Sequence, residues 1–195
     1  MKSIEELKEE LKTILSPKRY EHSLGVMEKA IELARMYGED EKKVAYTALM
    51  HDMAKEMSVE EMLEYAIDNQ IQLSKEDKLI TSILHGIIAS HIVKEKYGFT
   101  KEMQDAIYYH TTGRENMTLL DKIVYVADKS EERTRNSEHA NKLRKITQEK
   151  GIDEAILFVI EGWVLPKAIE DKKLIHPNSI LVRNEIILKN SKEVK

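Results

Sequence analysis

The 195-residue sequence contains no cysteine. This absence excludes a disulfide framework, a thiolate metal site and a cysteine nucleophile. Any metal ion that the protein binds must therefore be held by nitrogen and oxygen atoms.

Glycine and proline are also scarce, at seven and three residues. Valine, isoleucine and leucine recur at three- and four-residue spacing and do not alternate with polar residues, which is the pattern of helices and not of strands. These features predict an all-α fold. The length suits one domain with a sizeable core, which we assign to residues 1–188, followed by a frayed tail at residues 189–195.

Basic charge is not in excess, because 31 lysine and arginine residues are interspersed with 35 acidic residues, for a net charge of −4. Such a chain lacks the basic patch on which nucleic-acid binding depends. No uncharged run reaches the ~18 residues of a membrane helix, and the charged, amphipathic residues 1–10 are unlike a signal peptide. We therefore expect a soluble cytoplasmic protein with no nucleic-acid or membrane partner.

Helix boundaries follow from capping residues and apolar periodicity. A final apolar segment over residues 156–164 is expected to be kinked or ended by Pro166. A loop or short helix is expected from His176 toward Asn184, and His139 is expected to lie at the surface among charges. The other predicted helices cover residues 4–15, Pro17 to about Gly38, residues 41–55, a short segment after Ser58, a long segment after Ser74, Thr100 to about His110, a segment after Thr118, and residues 138–150.

A histidine and an aspartate, His51 and Asp52, directly follow the apolar run at residues 44–50. Burial of such polar groups is costly unless something compensates for it. A divalent cation would compensate, because iron, manganese and zinc accept imidazole and carboxylate ligands. Taken alone, the dipeptide is more typical of a solvated helix end than of a metal site. On a continuous helix, Lys55 would lie on the same side as both residues.

Two further polar residues occupy apolar helix faces. His22 lies one turn before Val26 on the stripe of the second helix, where a hydrogen-bonded core histidine is the competing interpretation. Asp128 follows Val124 by four residues on an apolar face, and an aspartate in that position is rarely buried without a cation. That cation is either a metal ion or one of the nearby basic side chains of an ion pair, namely Lys129, Arg133 and Arg135.

Three more histidines lie on the helices that follow. His85 and His91 are about 120° apart around one helix, so both cannot face one metal ion, and periodicity alone does not choose between them. His110 faces inward at the end of the next helix. The two threonines and the glycine at residues 111–113 suit the binding of phosphate oxygens.

These positions together provide four imidazoles and two carboxylates on separate helices. Such a set suits a two-metal centre, with Asp52 as the bridging carboxylate. The order His, His-Asp, His, His, Asp resembles the HD-domain metal-dependent phosphohydrolase superfamily in its two-metal form. The resemblance implies a single-domain HD-type helical bundle, with metal ligands at His22, His51, Asp52, His85, His110 and Asp128.

The similarity narrows to the bacterial YqeK family over nearly the whole chain. This resemblance implies symmetrical hydrolysis of diadenosine tetraphosphate to two ADP at a centre of two divalent ions, with iron expected and manganese as the alternative. His91 matches no ligand position of that family. The family usually has Ile-Glu-Pro and then an arginine after Ala-Asp-Lys, whereas this chain has SEERTR at residues 130–135, in which Arg133 keeps the spacing. The stretches that carry the resemblance are RYEHS at 19–23, HDMAK at 51–55, LHG at 84–86, YHTTG at 109–113, LLDK at 119–122, ADK at 127–129, IHP at 175–177 and RN at 183–184.

Our mechanistic hypothesis is that a metal-bound hydroxide attacks an inner phosphorus atom, because metal-bound water is largely deprotonated near neutral pH. Lys55 and Arg133 are the predicted catalytic residues, which neutralise charge on the phosphate oxygens. The expected partner is a dinucleoside polyphosphate or a nucleoside diphosphate, and a homodimer is left open. The predicted substrate-binding residues are Arg19, Lys55, His110, Thr111, Thr112, Gly113 and Arg133.

Two alternatives use the same residues. Another HD-type activity, a nucleotidase or a cyclic-nucleotide phosphodiesterase, would share the ligands and differ in the pocket. A non-catalytic nucleotide-binding regulator would bind nucleotides without turnover. A ferritin-like oxidase is disfavoured because no histidine has a glutamate three residues before it, and the zinc-protease signature His-Glu-x-x-His is absent.

Overall fold

The computed structural model describes residues 2–193, and every regular element in that range is helical, which confirms the all-α prediction. No helix among these residues is long and apolar enough to span a bilayer. A 3₁₀ turn at Thr81–Ile83 and a π-helical turn at Ile160–Val164 join neighbouring helices. The helices are α1 (Ile4–Ile14), α2 (Pro17–Tyr37), α3 (Glu41–Met50), α4 (Val59–Asp68), α5 (Lys75–Leu79), α6 (Leu84–Tyr97), α7 (Lys101–Tyr109), α8 (Leu119–Ser130), α9 (Glu138–Lys150), α10 (Ile152–Val159), α11 (Leu165–Glu170) and α12 (Pro177–Glu193).

Short polar side chains begin most of these helices, as the sequence predicts. Ser58, Ser74 and Thr118 each form a capping box, in which the hydroxyl accepts from an amide and the acidic residue three positions on accepts in return. Pro17 occupies the first turn of α2, and Gly38 ends that helix at φ +79°, a left-handed conformation that favours glycine.

Five helices, α2, α3, α6, α7 and α8, form the centre of the bundle. Helix α2 packs on α3 and α8, while α7 packs on α3, α6 and α8. Their buried side chains belong to one hydrophobic cluster that extends from Leu7 on α1 to Ile186 on α12. The five helices therefore share a core, and polar residues on their inner faces or ends are brought close together.

Helix α3 ends at Met50, so the prediction of a helix through residue 55 was wrong. The imidazole of His51 explains the early end, because its Nδ1 lies 2.7 Å from the carbonyl oxygen of Ala48 in the last turn. The chain then forms tight turns, in which the Lys55 amide donates to the carbonyl of Asp52. Residues 51–55 consequently do not share a helix face.

The long helix predicted after Ser74 is also interrupted. Helix α5 ends at Leu79, and Ile80 leaves the helical conformation at φ −100° and ψ 66° before the 3₁₀ turn. Burial accounts for the difference between the two parts, because α6 is buried on nearly all sides whereas Leu79 is 57% exposed. The interruption places His85 in the first turn of α6.

The C-terminal third is more helical than the sequence predicts. Pro166 does not end the helical segment, which continues as α11. The π-helical turn before Pro166 accommodates its ring, with the Leu165 amide donating to the carbonyl of Ile160. The loop or short helix expected from His176 is the 17-residue helix α12. It continues past residue 189, where the frayed tail was predicted, to Glu193, and residues 194–195 lie outside the described part.

His139 is not the solvated surface residue that was predicted. Its ring is half-buried and stacks on Phe158, with centroids 4.5 Å apart and an interplanar angle of 20°. Trp163 contacts it edge-on at 5.3 Å. The charged Lys142, three residues on, lies over the same Phe158 ring with its Nζ 5.4 Å from the centroid, so charged neighbours in the sequence do not place His139 in solvent.

We expect the Thr118→Ala substitution to lower the free energy of unfolding by about 1 kcal/mol, because the hydroxyl satisfies the Asp121 amide at the start of α8. Urea unfolding of the metal-free protein measures the change. The matched variant Thr118→Ser keeps the hydroxyl and should retain most of the stability. Equal stability of the alanine variant and the unmodified protein would contradict the capping role.

Candidate metal centre

The structure brings together all six residues that the resemblance assigns as metal ligands. His22 comes from α2, His85 from the first turn of α6 and Asp128 from the last turns of α8, while the remaining three follow the ends of α3 and α7. The four imidazoles and Asp52 are no more than 3% exposed. Side chains distant in sequence thus meet in one buried pocket.

The carboxylate of Asp52 lies between two pairs of imidazoles. Its Oδ1 is 3.1 Å from His85 Nε2 and 3.6 Å from His110 Nε2. Its Oδ2 is 3.6 Å from His51 Nε2 and 3.8 Å from His22 Nε2. Asp128 lies beside the nitrogen atoms that face Oδ2, with its own Oδ1 3.0 Å from His22 Nε2. Each oxygen of Asp52 therefore faces a different group of nitrogen atoms.

Two of the imidazoles have their tautomer fixed by the end of the preceding helix. His51 Nδ1 donates to the Ala48 carbonyl, and His110 Nδ1 donates to the Ile107 carbonyl, both at 2.7 Å. A neutral imidazole carries one proton, so in both residues the lone pair is on Nε2, which faces the pocket. Burial lowers the pKa of His110 to about 4, which keeps this ring neutral near pH 7.

The donor set fits divalent metal ions. His51 Nε2 and Asp52 Oδ1 are buried and have no hydrogen-bond partner, which is costly for polar atoms in a core. Ligand atoms within 4.8 Å of one another form two groups, His22 with His51 and Asp128, and His51 with Asp52 and His110. Imidazole nitrogen and carboxylate oxygen suit iron, manganese and zinc. A cation between these atoms would satisfy them.

Both carboxylates of the pocket are ionised. Burial alone would raise the pKa of Asp52, but its surroundings outweigh burial and hold that pKa well below its usual range; among them the Arg19 guanidinium, 2.8 Å from Oδ2, favours the ionised form. Burial is likewise outweighed at Asp128, whose pKa is held well below its usual range mainly by the neighbouring Lys129 ammonium. The pocket therefore presents negative charge to a cation.

Cationic side chains surround the carboxylates. Arg19 Nη1 is 2.8 Å from Asp52 Oδ2, and Lys55 Nζ is 3.1 Å from His85 Nε2, so both predicted residues lie at the centre. The buried Lys129 donates to Asp128 at 3.1 Å and to the His110 carbonyl at 2.9 Å. Arg135 Nη2 lies 3.4 Å from Asp128 Oδ1. This charge is available to phosphate oxygens.

Arg133 does not reach the centre. Its guanidinium pairs with Glu28 at 2.6 Å and Glu21 at 2.5 Å, both on the outer face of α2, and it is 37% exposed. Arg135 occupies the position beside Asp128 instead. The chain turns after α8, so the prediction from spacing that Arg133 faces the centre was wrong.

Of the three residues at 111–113, only Thr111 lies at the centre, with its hydroxyl donating to His110 Nε2 at 3.1 Å. The Thr112 hydroxyl donates to the Gly113 carbonyl, and the Thr112 carbonyl accepts from Ser179 on α12. Gly113 is required because its φ is +69° and a Cβ there would lie 3.0 Å from Val182. This turn docks α12 on the bundle and does not face the ligands.

His91 lies away from the centre, as its absence from the family pattern implied. Its Nδ1 is 3.1 Å from the hydroxyl of Tyr65 on α4. His91 is half-buried against α4 on a different face of α6 from the buried His85, a distinction that the helical period alone could not make.

Sequence reasoning missed Glu131, which is fully buried and whose Oε1 lies 3.1 Å from His22 Nδ1. His22 and Thr134 outweigh its burial and lower the pKa of Glu131 to about 2, so it is ionised. An ionised acceptor at Nδ1 holds a proton there, while Nε2 lies 3.0 Å from Asp128 Oδ1, where a bound cation would take the place of a second proton. A Cβ at Gly25 would overlap the Glu131 carboxylate. Two spacings in the sequence could have indicated this contact. Glu131 follows Asp128 by three residues, and Gly25, which leaves room for its carboxylate, follows His22 by three residues.

Comparisons with known proteins agree with this geometry. A family model for the HD domain matches residues 19–133. A protein named symmetrical bis(5'-nucleosyl)-tetraphosphatase from Halalkalibacterium halodurans is 34% identical over 91% of this chain and 94% of that protein. A protein of the same name from Bacillus subtilis is 32% identical over the same shares. The crystal structure of a "predicted HD superfamily hydrolase involved in NAD metabolism" from Clostridium acetobutylicum matches with a TM-score of 0.91 and 35% identity, over 97% of this chain and 99% of that one.

We expect Glu131→Ala to weaken metal binding by roughly 10- to 100-fold, as is typical when the hydrogen-bond partner of a ligand histidine is lost. Competition with a chromophoric chelator measures the affinity, and thermal unfolding of the metal-free protein serves as a check on folding. The matched control is Glu132→Ala, because Glu132 is adjacent, 65% exposed and paired only with Lys29 and Arg144. Similar metal affinities of the two variants would refute the orienting role of Glu131.

Proposed function

Because the chain belongs to the HD domain family, we propose that it is a metal-dependent phosphohydrolase that cleaves diadenosine tetraphosphate symmetrically into two ADP. The observation that carries the proposal is the buried pocket in which His51 Nε2 and Asp52 Oδ1 lack partners among four imidazoles and two carboxylates. Relatives that match 91% of the chain bear the name of that activity.

The proposed ligand assignment follows from the distances. Oδ2 of Asp52, together with His22, His51 and Asp128, would hold one ion, and Oδ1 of Asp52, with His85 and His110, would hold the second. His51 is assigned to one ion only, because its single Nε2 lone pair binds one metal. Asp52 is then the bridging ligand. Iron is the metal we propose, with manganese as the alternative, since both accept this donor set.

Divalent ions bound here would polarise phosphoryl oxygens and activate water for attack. The chain itself contributes positioning and positive charge. Arg19 and Lys55 lie on the Asp52 and His85 side of the pocket, whereas Lys129 and Arg135 lie on the Asp128 side. Polyphosphate oxygens between these two sides would be bound from both, which offsets the charge that develops on the departing ADP. We assign to Arg135 the phosphate-facing role first predicted for Arg133.

We expect the metal-loaded protein to convert diadenosine tetraphosphate to ADP alone, with no ATP or AMP, as measured by chromatographic product analysis. His51→Ala should lower kcat/KM by roughly 100-fold or more and reduce the bound metal, because a ligand is lost outright and even second-sphere losses cost 10- to 100-fold. His91→Ala is the matched histidine control and should retain both properties.

Formation of ATP and AMP, or turnover of nucleoside monophosphates or cyclic dinucleotides in preference to diadenosine tetraphosphate, would instead support a different HD-type activity. Tight nucleotide binding without turnover in added iron or manganese would support a regulator. Retention of full metal content and full rate by His51→Ala would refute the ligand assignment.

The two arginines provide a further test. We expect Arg135→Ala to lower kcat/KM for diadenosine tetraphosphate by roughly 10- to 100-fold, because it removes a cation beside the reacting phosphates. Arg133→Ala should change it little, because that guanidinium is paired with Glu21 and Glu28. Steady-state kinetics of both variants under identical metal loading measures the difference. A larger loss of kcat/KM for Arg133→Ala than for Arg135→Ala would instead support Arg133 as the phosphate-facing residue.

A further inference from the structure

Trp163 is the one tryptophan of the sequence, and it lines two separate cavities. The first cavity has a volume of about 590 Å³ and lies between residues 79–82 and the start of α11. The second has a volume of about 250 Å³ and lies between Trp163 and the segment that follows α8. The indole is therefore a wall common to both.

The second cavity adjoins the candidate metal centre. Lys129 and Arg135 line it, and both contact the carboxylate of Asp128. Thr81 and Ser82 line the first cavity and belong to the turn that precedes α6 in the chain. Trp163 is thus bordered by space that reaches the basic side chains beside Asp128.

The surroundings of Trp163 hold the indole in place without covering it. His139 contacts it edge-on at 5.3 Å and is itself stacked on Phe158. The π-helical turn at Ile160–Val164 places the indole outside the regular spacing of the helix, and such turns occur frequently at functional sites. Trp163 remains partly exposed and lines both cavities.

The lining of the first cavity suits a flat heterocycle. Leu79 and Ile80 supply apolar contacts, and Thr81 and Ser82 supply hydroxyls that donate and accept hydrogen bonds. The volume lies within the 300–1,000 Å³ typical of small-molecule sites. The same lining includes the charged residues Lys167, Asp171 and Lys173, so polar groups flank the apolar and aromatic part of the wall.

We propose that Trp163 is a stacking platform for a purine base of the substrate, with the polyphosphate extending past Arg135 and Lys129 to the metal centre. This proposal rests on the proposed function and assigns one of its specificity determinants. Stacking on an aromatic ring is favourable for any base because every base has a π face. The platform therefore predicts affinity for nucleotides over phosphate chains without a base.

Because Trp163 is the only tryptophan, its fluorescence reports occupancy of the platform directly. We expect ADP to decrease the emission of the metal-loaded protein in a saturable manner, with excitation at the red edge of the indole band, where adenine does not absorb. Inorganic tripolyphosphate, which carries charge but no base, is the matched ligand control and should not produce this decrease. Equal responses to both ligands, or no response to ADP, would overturn the platform.

Variants provide the second readout. Trp163→Leu should raise the KM for diadenosine tetraphosphate and the calorimetric Kd for ADP by about 5- to 150-fold, the range that base stacking contributes. Its kcat should change little, because stacking stabilises the bound substrate and the transition state alike. Trp163→Phe keeps an aromatic face and should retain most of the affinity. Tyr65→Leu removes a half-buried aromatic that lines neither cavity and should leave both constants unchanged.

The outcomes separate this proposal from the proposed function. Hydrolysis of diadenosine tetraphosphate without any fluorescence response to ADP would overturn the platform and leave the hydrolase assignment intact. A saturable, base-dependent response in a protein that does not cleave diadenosine tetraphosphate would support the platform and overturn the hydrolase assignment. A Trp163→Leu variant with unchanged KM and Kd would also overturn the platform, whatever the activity.

Discussion

The structure depends on the burial of four imidazoles and two ionised carboxylates in a single pocket. Such groups lose their hydration on folding, and the lone pairs of His51 and His110 then face the carboxylate of Asp52 without a proton between them. Arg19, at 2.8 Å, compensates one oxygen of Asp52 only, and the other has no hydrogen bond. Cations in the pocket would stabilise this arrangement, which would link metal binding to the stability of the bundle.

The ends of helices provide the orientation that this pocket requires. His51 and His110 each follow the last residue of a helix, where a carbonyl group three residues earlier lacks an intrahelical partner and accepts from Nδ1. His22 lies within a helix and has no such carbonyl, so the buried Glu131 serves that purpose from the end of α8. The same requirement, a proton held on Nδ1, is thus met by two different local solutions.

The sequence predicts those features that local interactions decide. The starts of α4, α5, α7 and α8 follow from hydroxyl caps, and the inward direction of His22 and His110 follows from the helical period. The end of α3, the break at Ile80 and the π-helical turn depend on packing against distant segments, so a local pattern does not reveal them. The positions of the two arginines were equally hidden from local pattern. Glu21 and Glu28 on α2, more than 100 residues away in the chain, bind Arg133. Arg135 is the arginine that lies beside Asp128.

The ligand set and the surrounding pocket are built from different parts of the chain. The proposed metal ligands lie on the five central helices or directly after their ends, whereas Arg135 belongs to the segment between α8 and α9 and Trp163 belongs to the turn between α10 and α11. These two segments line a shared cavity, and neither supplies a proposed ligand. Changes there can alter which phosphate ester or anhydride is bound while the metal centre stays the same. This separation gives a physical reason why one ligand pattern can serve several phosphohydrolase activities.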